Sequence, residues 1–542
     1  MSDSQATGGR WKQRRSFWTW GYEADEPDEA ARRKAAESVS RRFGKTVTPP
    51  PIPKLEDVEL RASRVKIPGA LTGFVNDSHT DRALHTHGGH PLELLRALRG
   101  EFPNPPDAVA HPRTEDELEA VLAWCDSKGY AVVPYGGGTT VVWGIGFPES
   151  AKAGVIVDLD HFHKVLEVDP VSRAARIQAG VLGPDLEDRL RQDGFTLRHF
   201  PQSFPWSTVG GWVATRSGGH YATNHTHIDD FVESIRALTP KGWWESRRLP
   251  GSGAGPSPDR LMIGSEGVLG VISECWLRLQ KRPVYRGTAG VVFKDWAQGA
   301  EATRQVVQAK LWPANLRLLD PAEAQQSAGL DGRQSLLIIG FESADVPQGE
   351  YIRQAVAIAR EAGGLIEDDA IRIDDGSGRA TGREGAVGAW RSSFIGVNAG
   401  LTHGLGLLAD TFETAITWDK WPAFDAHVRD RVGKALTETL GKGHTLSCRF
   451  THVYPDGPAP YYSFSGPVAI GGEQEQWQII KDAAAAAVVD AGGTITHHHA
   501  VGRMHRKGWQ QQMPGLHVDA LRAVKKTFDP NGILNPGVLF DV

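Results

Sequence analysis

The chain offers almost no sulfur chemistry. Its three cysteines, Cys125, Cys275 and Cys448, form no C-x-x-C pair, so neither a disulfide framework nor a cysteine zinc site is implied. Long apolar runs are also missing: the longest, 483–489, falls far short of the roughly 20 residues that cross a bilayer. No charged stretch followed by an apolar one opens the sequence, so no cleaved export signal is expected and the reading is cytoplasmic. Neither sign of charge dominates. Lys and Arg number 60 against 65 Asp and Glu, and a net charge of −5 argues against a nucleic-acid partner. Two nucleotide signatures are absent as well. Gly251, Gly253 and Gly255 lead into Pro256 and Pro258 rather than a helix, which disfavours a Rossmann site, and no Walker loop occurs.

What remains is a large globular protein. Its 542 residues, at roughly 150 per domain, imply three or four units or two larger ones. A hydrophobic content of 40% excludes a mainly disordered chain. The first fifty residues form a charged arm with Trp11, Trp18 and Trp20, ending in Pro49, Pro50, Pro51 and Pro53; its basic stretch 12–15 reads as solvated charge. Thr114 with Glu117 forms a capping box for a helix that Gly129 stops, and strands are predicted at 130–134, 155–159, 165–168 and 174–178. This strand-rich α+β region ends near Pro283. Two βαββαβ sets are predicted next. The first has strands at 288–293, 315–319, 335–341 and 365–372 with helices at 297–310 and 350–363. The second has strands at 405–413, 445–453, 461–468 and 493–497 with helices at 419–440 and 473–491. Together they imply one antiparallel sheet with helices on one face, leaving the other to cover a ligand. The Gly-rich link 374–400 reads as partly mobile.

Three segments carry the chemistry. Gly136, Gly137 and Gly138 follow a buried strand and leave backbone N–H groups open to a phosphate oxygen. The segment 201–230 is dominated by small residues whose short hydroxyls and bare backbone suit a flat, polar ligand. The segment 264–272, GSEGVLGVI, starts as a Gly-rich loop and ends as a strand.

With PYGGGTT, PQSFPWSTVGGWVATRSGG, GSEGVLGVI and the terminal DPNGILNPG, the chain resembles the FAD-binding oxidoreductases of the vanillyl-alcohol-oxidase superfamily. Trp20-Gly21-Tyr22, FETAITWD at 412–419 and HHHAVGRMHRK at 497–507 resemble the alkyldihydroxyacetonephosphate synthase family within it. The resemblance implies an α+β fold: an N-terminal arm and helical region (1–100), a PCMH-type FAD-binding domain (101–283), a cap domain with an antiparallel sheet covered by helices (284–500), and a C-terminal segment (501–542) returning to the flavin. Pro134, Tyr135, Gly136, Gly137, Gly138, Thr139 and Thr140 are then expected to hold the pyrophosphate of non-covalent FAD. Pro201, Gln202, Ser203, Ser207, Thr208, Gly210, Gly211, Thr215, Arg216, Ser217 and Gly218 continue that site, and Glu266, Gly267, Gly270, Val271 and Ile272 complete it.

The triple histidine His497, His498, His499 closes a predicted strand and precedes Arg503, Arg506 and Lys507. Nearby cations favour a phosphate-bearing substrate, and a neutral imidazole is a natural proton acceptor. Consecutive histidines on an extended chain face alternate sides, so only His497 and His499 could share one, and no metal is expected. By resemblance, His498 and Tyr461 are catalytic, while His497, His499 and Arg503 contact substrate. Two departures stand out. Ala500 replaces the family's glycine, and Ala399-Gly400 stands where the family has a substrate-binding Arg-Asp, a loss that Arg391, Arg449 or Arg503 would have to make good.

The implied reaction exchanges the acyl group of an acyl-dihydroxyacetone phosphate for a fatty alcohol in ether lipid synthesis, with no net electron transfer. Its substrates are lipid-like, so peripheral membrane contact is open, as is a homodimer. Two alternatives stay open: FAD-linked oxidation of a 2-hydroxy acid or other alcohol, and a flavin-retaining binding protein without turnover. A hydrolase built on the pairs His85/His87, His161/His163 and His225/His227 lacks a carboxylate at ligand spacing.

Overall fold

Thr114 starts helix Glu115–Lys128: its hydroxyl accepts from the Glu117 amide at 3.2 Å, and Gly129 closes the helix at φ 65°. The Glu117 carboxylate turns to the Arg113 amide at 2.7 Å instead of that of Thr114, so only half of the capping box forms. The helix delivers the chain into strand Ala131–Tyr135. That strand pairs in parallel with Gly154–Asp158, which pairs with Ala108–Ala110, and short Val75–Asn76 closes this four-stranded sheet. A second, five-stranded antiparallel sheet contains Val165–Asp169, Ala174–Gln178, Val271–Arg278, Val232–Thr239 and Gly242–Glu245 in that spatial order. The computed structural model describes residues 10–221, 223, 227–377, 380–395 and 400–541.

The chain has an α+β fold whose second half is one antiparallel sheet of seven strands. Their order is Arg372–Asp375, Tyr285–Phe293, Ser335–Ser343, Asn315–Leu319, Thr445–Val453, Pro458–Pro467 and Leu407–Glu413. Side chains alternate across each strand. Leu408, Phe412, Cys448, Phe450, Tyr462 and Phe464 face helices Trp421–Leu440 and Glu473–Asp490 in one apolar core. The intervening positions Ala409, Thr411, Arg449, Tyr461 and Ser463 face a cavity.

Four sequence expectations change. The opposite sheet face is not wholly free: helices Pro321–Ala328 and Gly385–Ile395 pack there, with Leu319, Ala324, Leu336, Ile338 and Trp390 in one cluster. The link 374–400 therefore holds a helix, while residues 378, 379 and 396–399 lie outside those described. The strand expected at 365–372 forms as Arg372–Asp375, with Leu365 only bridging Val292. No strand forms at 493–497, because the amides of His497, His498 and His499 donate to the Glu413 carboxylate instead of to a neighbouring strand.

The arm packs by its aromatics: Trp18 is fully buried, and Trp20 meets Trp206 edge-on at 6.0 Å. Lys12 and Arg14 are exposed as expected, but Arg15 is not. At the other end, Asn535 donates its amide to Val132, whose own amide donates to Ile533, so the last segment lies along strand Ala131–Tyr135. Among the described residues no helix is long and apolar enough to cross a membrane.

Candidate active site

A cavity of about 700 Å³ lies between the glycine loop after strand Ala131–Tyr135 and the open face of the seven-stranded sheet. Pro134 through Thr140 all line it. The amides of Gly137, Gly138, Thr139 and Thr140 reach no acceptor among the described residues, so a bound anion can take them. The loop also excludes side chains. A Cβ on Gly136 would lie 2.3 Å from Thr208 Oγ1 and one on Gly137 2.1 Å from the Trp206 carbonyl oxygen, while Gly138 adopts φ +68°. This cradle of uncovered amides fits a dinucleotide pyrophosphate.

The small-residue segment adds the next wall. Pro201, Gln202, Ser203, Ser207, Thr208, Gly210, Gly211, Thr215, Ser217 and Gly218 border the cavity. Four of its hydroxyls are engaged within the protein: Ser207 Oγ accepts from Trp212 Nε1 at 2.7 Å, Thr208 Oγ1 accepts from the Gly211 amide at 3.3 Å, Thr215 Oγ1 donates to the Gly211 carbonyl at 2.8 Å, and Ser217 Oγ pairs with His199 Nε2 at 2.9 Å. Glu266, Gly267, Gly270 and Ile272 supply a third wall. Buried Glu266 does more than line it. Its carboxylate accepts from the amides of Val501 at 2.9 Å and Gly502 at 2.8 Å, tying this wall to the histidine loop. Burial raises Glu266 to about 7, with those two amides opposing the rise.

Glu413 organises the histidine side of the cavity. It ends strand Leu407–Glu413, is 3% exposed, and accepts from the amides of His497 at 2.8 Å, His498 at 3.1 Å and His499 at 3.1 Å and from the Thr496 hydroxyl. Burial alone would raise its pKa, but the charge of His498 and a hydrogen bond from that ring hold it well below the usual carboxylate range. His498 Nδ1 lies 3.1 Å from Glu413 Oε2 and 3.1 Å from His497 Nδ1. When the ring is neutral, the buried carboxylate keeps its one proton on that nitrogen, so Nε2 is then the acceptor. His497 Nε2 pairs with Tyr454 Oη at 2.6 Å. Tyr461 stacks on His498 with ring centres 5.9 Å apart, and the Arg449 guanidinium sits 4.2 Å from the Tyr461 ring. Burial pushes the Tyr461 phenol up, and Arg449 opposes that. Burial lowers His499 to about 4, so it is neutral at pH 7.

Tyr461, His498 and His499 thus border the same cavity as the glycine loop. Four expected site residues do not. Arg216 turns to Asp229 at 3.1 Å, and Val271 is fully buried in the core. His497 faces Tyr454 and His227. Arg503 donates to the carbonyl oxygens of Trp143, Gly146 and Pro536 at 2.8, 2.9 and 2.8 Å, which braces the loop after the cradle instead of meeting a phosphate. Ala500 adopts φ +72°, a left-handed conformation that costs a residue with a Cβ about 1 kcal/mol.

The argument from strand alternation fails here because the segment is a turn. His452, His497 and His498 bring ring nitrogens within 4.8 Å of one another. Of the other histidine pairs, His85 faces Asp158 and His87 the Glu101 carbonyl, His161 and His163 both pack on Trp11, and His225 lies outside the described residues. Sequence reading missed three groups, Glu413, His452 and Arg317. Glu413 shares the strand face of Ala409 and Thr411, which line the cavity, so a period of two could have found it. His452 and Arg317 line the cavity, and nothing local singles them out.

Two family models match: a FAD binding domain over residues 106–246 and the C-terminal domain of FAD linked oxidases over 282–539. The chain is 29% identical to the alkyldihydroxyacetonephosphate synthase of Caenorhabditis elegans, covering 86% of this chain and 81% of the relative. It is 24% identical to glycolate oxidase subunit GlcD of Bacillus subtilis, covering 86% and 93%. A solved alkyldihydroxyacetonephosphate synthase superposes with a TM-score of 0.72 at 25% identity over 90% of this chain and 88% of that one. p-Cresol methylhydroxylase shares the fold, with a TM-score of 0.64 at 15% identity over 96% and 99%. The glycine cradle, the matched FAD binding domain and the shared fold make this chain a member of the FAD-binding oxidoreductase superfamily of the PCMH and vanillyl-alcohol-oxidase type, with FAD bound non-covalently.

Proposed function

We propose that the chain exchanges the acyl group of an acyl-dihydroxyacetone phosphate for a fatty alcohol, releasing the fatty acid and giving an alkyl-dihydroxyacetone phosphate, the product for which the synthase relatives are named. The observation that carries this reading is the shared cavity: Tyr461, His498 and the arginines Arg317 and Arg449 border the space that the glycine loop opens, with Glu413 behind His498. FAD, when bound, supplies a ring able to add to, or take hydride from, a carbon beside a carbonyl. Residues 134–140 hold its pyrophosphate, and the walls at 201–218 and 266–272 hold the rest. Tyr461 Oη and His498 Nε2 move the proton of the incoming alcohol, a role worth about 10² to 10⁴ in rate. Arg449 and Arg317 bind the substrate phosphate, since a planar guanidinium matches its oxygens. Of the three arginines that could make good the loss at Ala399-Gly400, Arg449 is the one that borders the cavity. His499 contacts substrate beside it, and Leu92, Leu95, Leu407 and Met504 offer apolar walls for an alkyl chain.

Incubation of flavin-replete protein with palmitoyl-dihydroxyacetone phosphate and labelled hexadecanol should yield labelled ether; no ether with FAD intact overturns the reading. A second reading, oxidation of a 2-hydroxy acid, is favoured by the FAD linked oxidase match, and a guanidinium also holds a carboxylate. Anaerobic bleaching of the flavin by such an acid would select it. The cradle has its own test. Gly137→Ala, whose methyl would strike the Trp206 carbonyl, should leave protein that elutes from gel filtration without its 450 nm flavin absorbance.

A further inference from the structure

The basic stretch of the arm divides at Arg15, which turns inward behind the glycine loop. Its Nη2 donates to the Gly136 carbonyl oxygen at 2.5 Å. Its guanidinium lies 4.8 Å from the Tyr135 ring centre and 3.8 Å from Asp158, which hold it in place. A trans peptide is planar, with its C=O and N–H pointing in opposite directions. Drawing the Gly136 oxygen toward Arg15 therefore turns the Gly137 N–H the other way. Gly136 borders both the large cavity and a small crevice behind it, and Arg15 lines the crevice. The Gly137 amide meets no acceptor among the described residues. The arm grips the loop's far end as well: Trp20 Nε1 donates to the Gly89 carbonyl at 2.7 Å, and the Gly89 amide donates to the Thr140 carbonyl at 2.7 Å.

We propose that Arg15 is a positioning residue for the cofactor pyrophosphate. It fixes the Gly136–Gly137 peptide with its N–H toward the anion and places a positive charge behind the loop, partly offset by Asp158. The proposal rests on residues 134–140 being the pyrophosphate cradle.

The test titrates FAD and riboflavin into flavin-stripped full-length protein, wild type and Arg15→Met, and follows flavin fluorescence. Riboflavin carries the ring but no phosphate. Loss of one charge-assisted contact predicts FAD binding weakened about 10- to 100-fold in Arg15→Met, with riboflavin binding unchanged. Arg15→Lys, which keeps the charge with a single point donor, should fall between. Equal loss for both flavins would mark a general disturbance of the fold and overturn the proposal, as would unchanged FAD affinity. If the wild type holds riboflavin as tightly as FAD, the cradle reading itself fails and takes this inference with it.

Discussion

Glu413→Gln should lower the turnover of the proposed exchange reaction by about 10² to 10⁴ while flavin content is retained. The carboxylate uses both oxygens as acceptors, for three consecutive amides, the Thr496 hydroxyl and His498 Nδ1. Glutamine offers one acceptor oxygen and turns an NH₂ toward groups that are themselves donors. At least one buried donor is then left unmet, at about 1–3 kcal/mol. The proton on His498 Nδ1 also loses the charge that favours it there, so Nε2 is no longer reliably the acceptor. We expect kcat to fall with KM nearly unchanged and the acid limb of the pH–rate profile to move. Unchanged kcat and pH profile would show that Glu413 only shapes the loop.

Acid should unfold the protein early. Burial lowers His199 and His505 to about 3 and His227, His403 and His499 to about 4. An unfolded histidine titrates near 6.5, so between about 6.5 and 4 the unfolded chain binds more protons at these five sites. Stability therefore falls as pH falls. Glu93 and Glu266, raised by burial to about 7, act in the opposite sense: the folded state holds their protons above the unfolded value, and their contribution is lost as pH rises toward 7. Five groups outweigh two. Each net proton is worth roughly 1.4 kcal/mol per pH unit, so on the order of several kcal/mol should disappear between pH 6.5 and 4.5. Urea unfolding at pH 7.5, 6.5, 5.5 and 4.5 measures this directly. A flat profile would contradict the burial of these rings.

Much of the fold was legible in local pattern. The strands expected at 315–319 and 445–453 and the helix expected at 419–440 have apolar faces that must be buried somewhere; the strands form over those residues and the helix as Trp421–Leu440. The glycines at 136–138 announce backbone that a ligand can approach, because a side chain there has no room. The histidine run stood out in the chain itself, whereas Tyr461 was singled out only by the family resemblance.

Pairing across long separations was not legible. That the run at 497–499 leaves the sheet depends on a carboxylate 84 residues earlier outcompeting a strand for its amides. Arg503 reads as a phosphate ligand until three carbonyl oxygens surround it, and Arg15 reads as solvated until the arm folds back beneath Gly136. Sequence states which groups can donate, accept or carry charge. Which partner each one meets is decided by the energy of burying it, and only the folded arrangement of distant segments sets that.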